Sequence, residues 1–231
     1  MKAHQLFFSL LLTGAVFFFT NCEKDEVQAD PFLEVDDQGN TQFNNNLQTY
    51  VDDLPKEDLN AGEMASLSFI REEEKLARDI YLALFNLWGK NVFTNISNSE
   101  STHMGAVLVL LDKYDLEDPA AGLDFGVFVN TELQSLYDEL LAHGQVNLVQ
   151  ALEVGAMVEE VDILDIQTAL DDFVDNQDIS LVYDNLMKGS RNHLRSFVRN
   201  LAQEGIVYQP RYLDQSTYDT IINSPMENGN N

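Results

Sequence analysis

From Glu63 to Trp88 the apolar side chains Leu67, Ile70, Ala77, Tyr81, Leu84 and Trp88 recur at steps of three and four, and Gly89 follows. That spacing predicts one long amphipathic helix closed by a glycine able to take the left-handed cap conformation. A second helix is predicted to open at the capping cluster Ser97-Asn98-Ser99 and to run to about Tyr114, with Val107, Leu110, Leu111 and Tyr114 on one side. Thr131 is expected to cap a shorter helix that reaches His143 and is ended by Gly144. Two more long helical patterns follow, about Val146 to Phe173 and about Ile179 to Gln203. No stretch sustains a period of two, so the fold class is all-α. An up-and-down bundle would join the second long helix to the third by a short loop. Here Asp115 to Asn130, with Pro119, Gly122 and Gly126, and the short extra helix intervene, which predicts a four-helix bundle with a crossover connection.

The chain has 231 residues, 45% of them hydrophobic, enough for one moderate core with tails. Its 39 Asp and Glu against 13 Lys and Arg give a formal net charge of -26. A surface of that sign repels a phosphate backbone, so nucleic acid is excluded as a partner and cations are favoured. The single cysteine, Cys22, excludes an intramolecular disulfide, a Cys-rich zinc site and an iron–sulfur cluster. Carboxylate and imidazole are left as the donors for any metal.

Lys2 and His4 precede a 14-residue apolar run, Leu6 to Phe19, which reads as a signal peptide over residues 1–21. The run is too short to cross a bilayer, which takes about 20 residues. Phe19-Thr20-Asn21-Cys22, followed by Glu23-Lys24-Asp25-Glu26, resembles a bacterial lipoprotein signal, with Phe19 where such signals usually carry Leu and Asn21 where they carry a small residue. The resemblance implies a lipid on Cys22 and a domain in the cell envelope, held to the outer membrane by acyl chains alone, on its periplasmic or surface side. An ordinary secretory signal followed by a free thiol is the alternative. Residues 22–62 read as an acidic tether, on which Phe32, Leu33, Phe43, Leu47, Tyr50 and Val51 could dock a short piece. The four-helix domain is expected over 63–207. A C-terminal extension over 208–231 follows, partly disordered, its polar end Asn223 to Asn231 frayed.

An amphipathic helix keeps its charges toward water, so acids and histidines inside an apolar stripe ask for an explanation. On the first long helix Glu74 falls in the stripe of Ile70, Ala77, Tyr81 and Leu84. Glu73 shares a neighbouring stripe with Phe69, Leu76 and Ile80, whereas Glu72 aligns with Ser68, Lys75 and Asp79 and is expected to be solvated. On the second, Glu100 and His103 lie in series with Val107, Leu110 and Tyr114 and face the core together. On the third, Leu152, Ala156, Ile163 and Ile166 flank Glu159, with Glu160 one position round and Asp162 one turn on. On the fourth, Leu186, Gly189, Ser190 and Phe197 flank His193. Each has an ordinary reading: a lone His on an apolar face is commonly a hydrogen-bonded core residue, a Glu-x-x-His pair recurs by chance, and Glu73 or Glu160 can border a stripe. Together, on inward faces of four helices, they would repel and take up protons unless a divalent cation supplied positive charge. His143, before Gly144, reads as a C-terminal cap, and Arg191, Arg195 and Arg199 as a solvated face pairing with acids such as Asp184.

Glu74 with Tyr81, Glu100-x-x-His103, the acids of the third helix and the His of the fourth resemble the di-iron carboxylate proteins of the ferritin and rubrerythrin superfamily. The segments Arg71 to Asp79, Val154 to Ile163 and Gly189 to Leu194 resemble more closely the ferritin-like family catalogued as domain of unknown function 2202, over roughly Leu67 to Leu201. The resemblance implies a ferritin-like four-helix bundle in which Glu74, Glu100, His103, Glu159 or Glu160, and His193 bind iron, as one or two ions, with Mn or Zn as other candidates. It implies that Tyr81 is a catalytic residue near the site, as a donor or electron source. Di-iron bundles carry Glu three residues before the last His, where this chain has Ser190; Asp162 could substitute, or one metal alone could bind. Asn192 or Tyr183 could fix the His193 ring.

Three functions fit these residues. One is a di-iron-type oxidoreductase that oxidises Fe(II) or reduces peroxide. Another is passive iron sequestration. The third is a non-catalytic helical module at the cell surface whose inward acids are protonated or mutually hydrogen-bonded.

Overall fold

The computed structural model describes residues 33–35, 41–43 and 47–227; the signal region and Cys22 lie outside them. Two short strands, β1 (Leu33–Val35) and β2 (Thr41–Phe43), pair antiparallel with Leu33 opposite Phe43 and Val35 opposite Thr41. Seven helices follow: α1 (Leu47–Asp53), α2 (Ala61–Trp88), α3 (Asn91–Lys113), α4 (Thr131–Gly144), α5 (Leu148–Asp172), α6 (Gln177–Gln203) and α7 (Gln215–Asn223). The domain is an all-α bundle of α2, α3, α5 and α6, and no described helix is long and apolar enough to cross a membrane.

The apolar side chains condense into two cores at opposite ends of the bundle. One holds Leu67 and Ile70 of α2, Val107 and Leu110 of α3, Ile166 of α5 and Val182 and Leu186 of α6. The other holds Tyr81 and Leu84 of α2, Phe93 and Ile96 of α3, Leu152 and Ala156 of α5 and Phe197 and Leu201 of α6. In chain order, α3 and α5 both run from the second core to the first, while α2 and α6 run the other way. Because α3 and α5 are parallel, the chain must return the length of the bundle between them, and residues 114–130 and α4 make that return.

Local chemistry sets the helix ends. Asn60 and Glu63 form a capping box at α2, and Glu63 Oε1 also accepts the backbone N–H groups of Asp175 and Asn176, so one carboxylate closes the starts of α2 and α6. Gly89 caps α2 at φ 63°, where a side chain would be strained. The second long helix begins six residues before the expected cluster, at Asn91, because Ser97 and Ser99 lie inside it and turn their hydroxyls back to the carbonyls of Thr94 and Asn95. Asn130, not Thr131, caps α4 by accepting from Glu132 N and Leu133 N. At Gly155 the bundle is tightest: a Cβ there would lie 2.3 Å from the Phe197 ring.

The face of α2 expected to be solvated is buried, because the return segment folds over it. Glu72 accepts from Val129 N at 2.6 Å and Asn130 N at 3.1 Å, and Lys75 donates to Asp79 and to the carbonyls of Asp124 and Val127. Asp79 in turn accepts from Gly126 N, and Arg71 holds Asp118 by two nitrogens. Of the arginine stripe of α6, Arg199 is exposed as expected, but Arg191 and Arg195 are not solvated. Arg191 and Arg195 bind Glu227, and Arg195, only 8% exposed, also donates to Ile221 O, Ser224 Oγ and Asn192 Oδ1. Residues 223–227, expected to fray, are thereby clasped to α6 behind α7, whose Tyr218 and Ile221 enter the core. From residue 47 on, the acidic stretch docks at one point while its acids stay exposed: Val51 is fully buried, and Lys113 donates to Val51 O and Leu54 O at the end of α1. His143 sits half exposed in the last turn of α4, its Nε2 3.8 Å from Glu153.

Gly155→Ala should destabilise the domain by about 1–3 kcal/mol through overpacking against Phe197, read as a lower urea midpoint at unchanged slope.

Candidate metal centre

Midway along the bundle, between the two apolar cores, each of the four long helices contributes polar side chains to one buried layer. On α2, Glu74 follows Ile70 by one turn. On α3, Glu100 and His103 are one turn apart and so share a face; on α5, Glu159 and Asp162 do the same, and on α6, Ser190 and His193. All seven are at most 5% exposed.

Glu100 is the hinge of the arrangement. Its Oε2 lies 2.8 Å from His103 Nδ1, and its Oε1 lies 2.9 Å from His193 Nδ1. Glu74 Oε2 approaches the same His103 nitrogen at 3.3 Å, and Glu159 Oε2 approaches the His193 nitrogen at 3.4 Å. The two rings stack with centroids 5.4 Å apart. The result is two triads, Glu74-Glu100-His103 and Glu100-Glu159-His193, joined through one carboxylate, the donor atoms of each within 4.8 Å of one another. The Tyr81 hydroxyl donates a short hydrogen bond to Glu159 Oε1, leaving Oε2 directed at the triad. Ser190 donates to Asp162 Oδ2 and thereby holds beside the layer a carboxylate from α5, where α6 lacks one.

The donor set fits a divalent cation. Glu74 Oε1, Glu100 Oε1, Asp162 Oδ1 and both nitrogens of His193 are buried without an aligned hydrogen-bond partner. Leaving such atoms unmatched costs on the order of 1–3 kcal/mol each. Carboxylate mixed with imidazole suits Fe, Mn or Zn.

Electrostatics point the same way. Burial pushes Glu74 up to about 8 and Glu159 up to about 7, against the pull of their histidines. Burial also raises Asp162, and the carboxylates of Glu74, Glu159 and Glu100 raise it further. His193 is pushed up to about 9 because Glu100 and Glu159 outweigh the effect of its burial, and His103 is raised by Glu74 and Glu100 in the same manner. Only Glu100 is held well below the carboxylate range: burial acts to raise it, but the two flanking imidazoles prevail. Burial and Glu159 keep the Tyr81 hydroxyl protonated. Without a cation the layer therefore collects protons.

The structure thus brings together Glu74, Glu100, His103, Glu159 and His193, with Tyr81 against Glu159. It does not bring Glu160 to the layer. One position further round α5, Glu160 points to the other side, where it accepts from the Tyr208 hydroxyl at 2.6 Å and from the backbone of Arg211, Tyr212 and Leu213. Neither candidate for fixing the His193 ring does so: Asn192 is engaged by Arg195 and Glu227, and Tyr183 by Ser66. Two features escaped the sequence reading. Asp165, one turn beyond Asp162, meets the buried Glu73; its spacing from Glu159 and Asp162 was the available signal. The Ser190 to Asp162 bond has no local signature.

Glu74, Glu159 and His193 keep protons in the folded chain to higher pH than the values of 4.5 and 6.5 that hold outside it. The folded state therefore binds more protons than the unfolded one, and stability falls as pH rises through that window. Glu100 has the opposite sign, and its contribution is lost only in acid. Metal-free protein should melt at a lower temperature at pH 9 than at pH 6, and a bound divalent cation should remove most of the difference; thermal denaturation with and without chelator measures both.

Residues 63–225 match the family described as "Uncharacterized protein domain (DUF2202)". The chain is 47% identical over 182 residues, 79% of its length and 98% of the relative's, to the uncharacterized protein MJ0754 of Methanocaldococcus jannaschii. A crystal structure titled as the hypothetical protein MJ0754 from Methanococcus jannaschii, 47% identical, superimposes with a TM-score of 0.73 over 75% of this chain and 99% of that one. With most of the folded chain matched by the family and this degree of identity to a relative, the protein belongs to the DUF2202 family.

Proposed function

We propose that this protein is a lipid-anchored, extracytoplasmic member of the ferritin-like superfamily that holds two iron ions in its mid-bundle layer and uses them to oxidise Fe(II) or to reduce peroxide. The observation that carries the reading is the pair of His–carboxylate triads sharing Glu100, with buried donor atoms that lack an aligned hydrogen-bond partner. Parallel α3 and α5, and the return segment that this requires, support the ferritin-like assignment. The lipoprotein-like sequence ending at Cys22 supports the location.

Glu74 with His103 would hold one ion and Glu159 with His193 the other, Glu100 serving both. Asp162, tethered by Ser190, would stand in for the carboxylate that α6 lacks. When bound, two ferrous ions supply two electrons, which with two protons reduce peroxide to two waters and leave two ferric ions. The chain's own residues set the conditions. Tyr81, a positioning residue, donates a hydrogen bond to Glu159 Oε1 and so fixes that carboxylate, while the flanking cores exclude bulk water. Glu74, Glu159 and His193 give up their protons as cations arrive.

Elemental analysis of the purified chain should give about two metal ions per protein, following the two triads. Glu100→Ala should abolish binding of both, and His193→Ala of one. Metal that survives Glu100→Ala would sink the reading and favour the surface module. Where metal is bound, optical assays of ferrous oxidation and of peroxide loss separate an enzyme from a store.

A further inference from the structure

Between α2 and α5 the surface opens into a cavity of about 560 Å³, walled by Phe69, Ile70 and Phe173 and carrying Glu72 and Asp165. No lysine or arginine lines it. Glu72 is occupied by the backbone N–H groups of Val129 and Asn130. Asp165 faces inward as well as outward: it belongs to the cavity wall and meets Glu73, which is 3% exposed.

Glu159, Asp162 and Asp165 are spaced by three on α5, each about 60° further round the helix, so the row winds outward from the metal centre to the cavity over roughly 9 Å of helix rise. Across from them on α2, Glu73 adjoins the ligand Glu74. Glu73 has only another acid, Asp165, to share a proton with, and Oδ1 of Asp162 has no aligned hydrogen-bond donor. Stability does not explain this, since a buried carboxylate without donors is costly and the structural acids of this fold, such as Glu63, Glu72 and Glu160, are all supplied with backbone N–H groups. Carboxylates in a row from solvent to a cation site, short of any donor but one another, are suited to an ion in passage, each replacing part of the water that it sheds.

We propose that this cavity is the entrance for the divalent cation, and that Asp165, Glu73 and Asp162 form the carboxylate ladder by which it reaches the centre. The inference rests on the metal reading above. Metal-free full-length protein is mixed with Co(II) in a stopped-flow instrument, and the ligand-field absorption of the bound ion is followed to completion. Asp165→Asn should load about tenfold more slowly than wild type, the scale on which a charged cleft speeds entry. Thr168→Trp, at an exposed position of the wall, should also slow loading by obstruction, and both variants should reach the wild-type cobalt content. Wild-type rates in both variants overturn the route while leaving the centre intact. A lower final cobalt content with an unchanged initial rate makes Asp165 a ligand and also overturns it. Absence of cobalt uptake by wild type removes the metal reading, and the entrance with it.

Discussion

Four carboxylates and two imidazoles share one dry layer, and the negative charge of that layer has to be answered from within. Elsewhere, Glu73 apart, the acids that this fold buries are given donors: Glu63 and Glu160 accept backbone N–H groups, and Asp79 has Lys75, Arg78 and Gly126 N. The acids of the layer have two histidines and the hydroxyls of Tyr81 and Ser190, and several of their atoms have no aligned partner. Buried polar groups are ordinarily satisfied. The contrast within a single molecule separates acids that build the fold from acids able to hold a cation.

The return segment between α3 and α5 is the architectural counterpart of this constraint. Parallel α3 and α5 allow Glu100 and His103 to face Glu159 and Asp162 at the same depth, and the segment that crosses back is fastened to α2 by Arg71, Glu72, Lys75 and Asp79. Those four residues lie within the same stretch of α2 as Glu73 and Glu74. One run of sequence thus serves the fold on one side of the helix and the layer on the other.

Much of this was readable in advance, and the limits have physical causes. The long helices follow from steps of three and four, and the inward acids stood out as faults in apolar stripes, since both signals are local. Helix α3 began earlier than the Ser97 cluster suggested because a hydroxyl can satisfy itself on its own helix as readily as cap one. Glu72, Arg191 and Arg195 looked solvated because what covers them, residues 124–130 and 221–227, is distant in sequence. Glu159 and Glu160 are adjacent on α5, and helical geometry alone leaves either able to face inward. The segment 208–213, which supplies Glu160 with donors, decides between them.

The polar layer also divides the apolar interior into two condensates that meet across charge rather than across hydrocarbon. Hydrophobic cohesion works within each end, but between the ends it narrows to contacts such as those of Phe69, which packs against both. Cooperative melting of the whole rod then depends on the ionic seam: neutralised, it welds the two halves into a single unit, and left charged it is the plane along which they come apart.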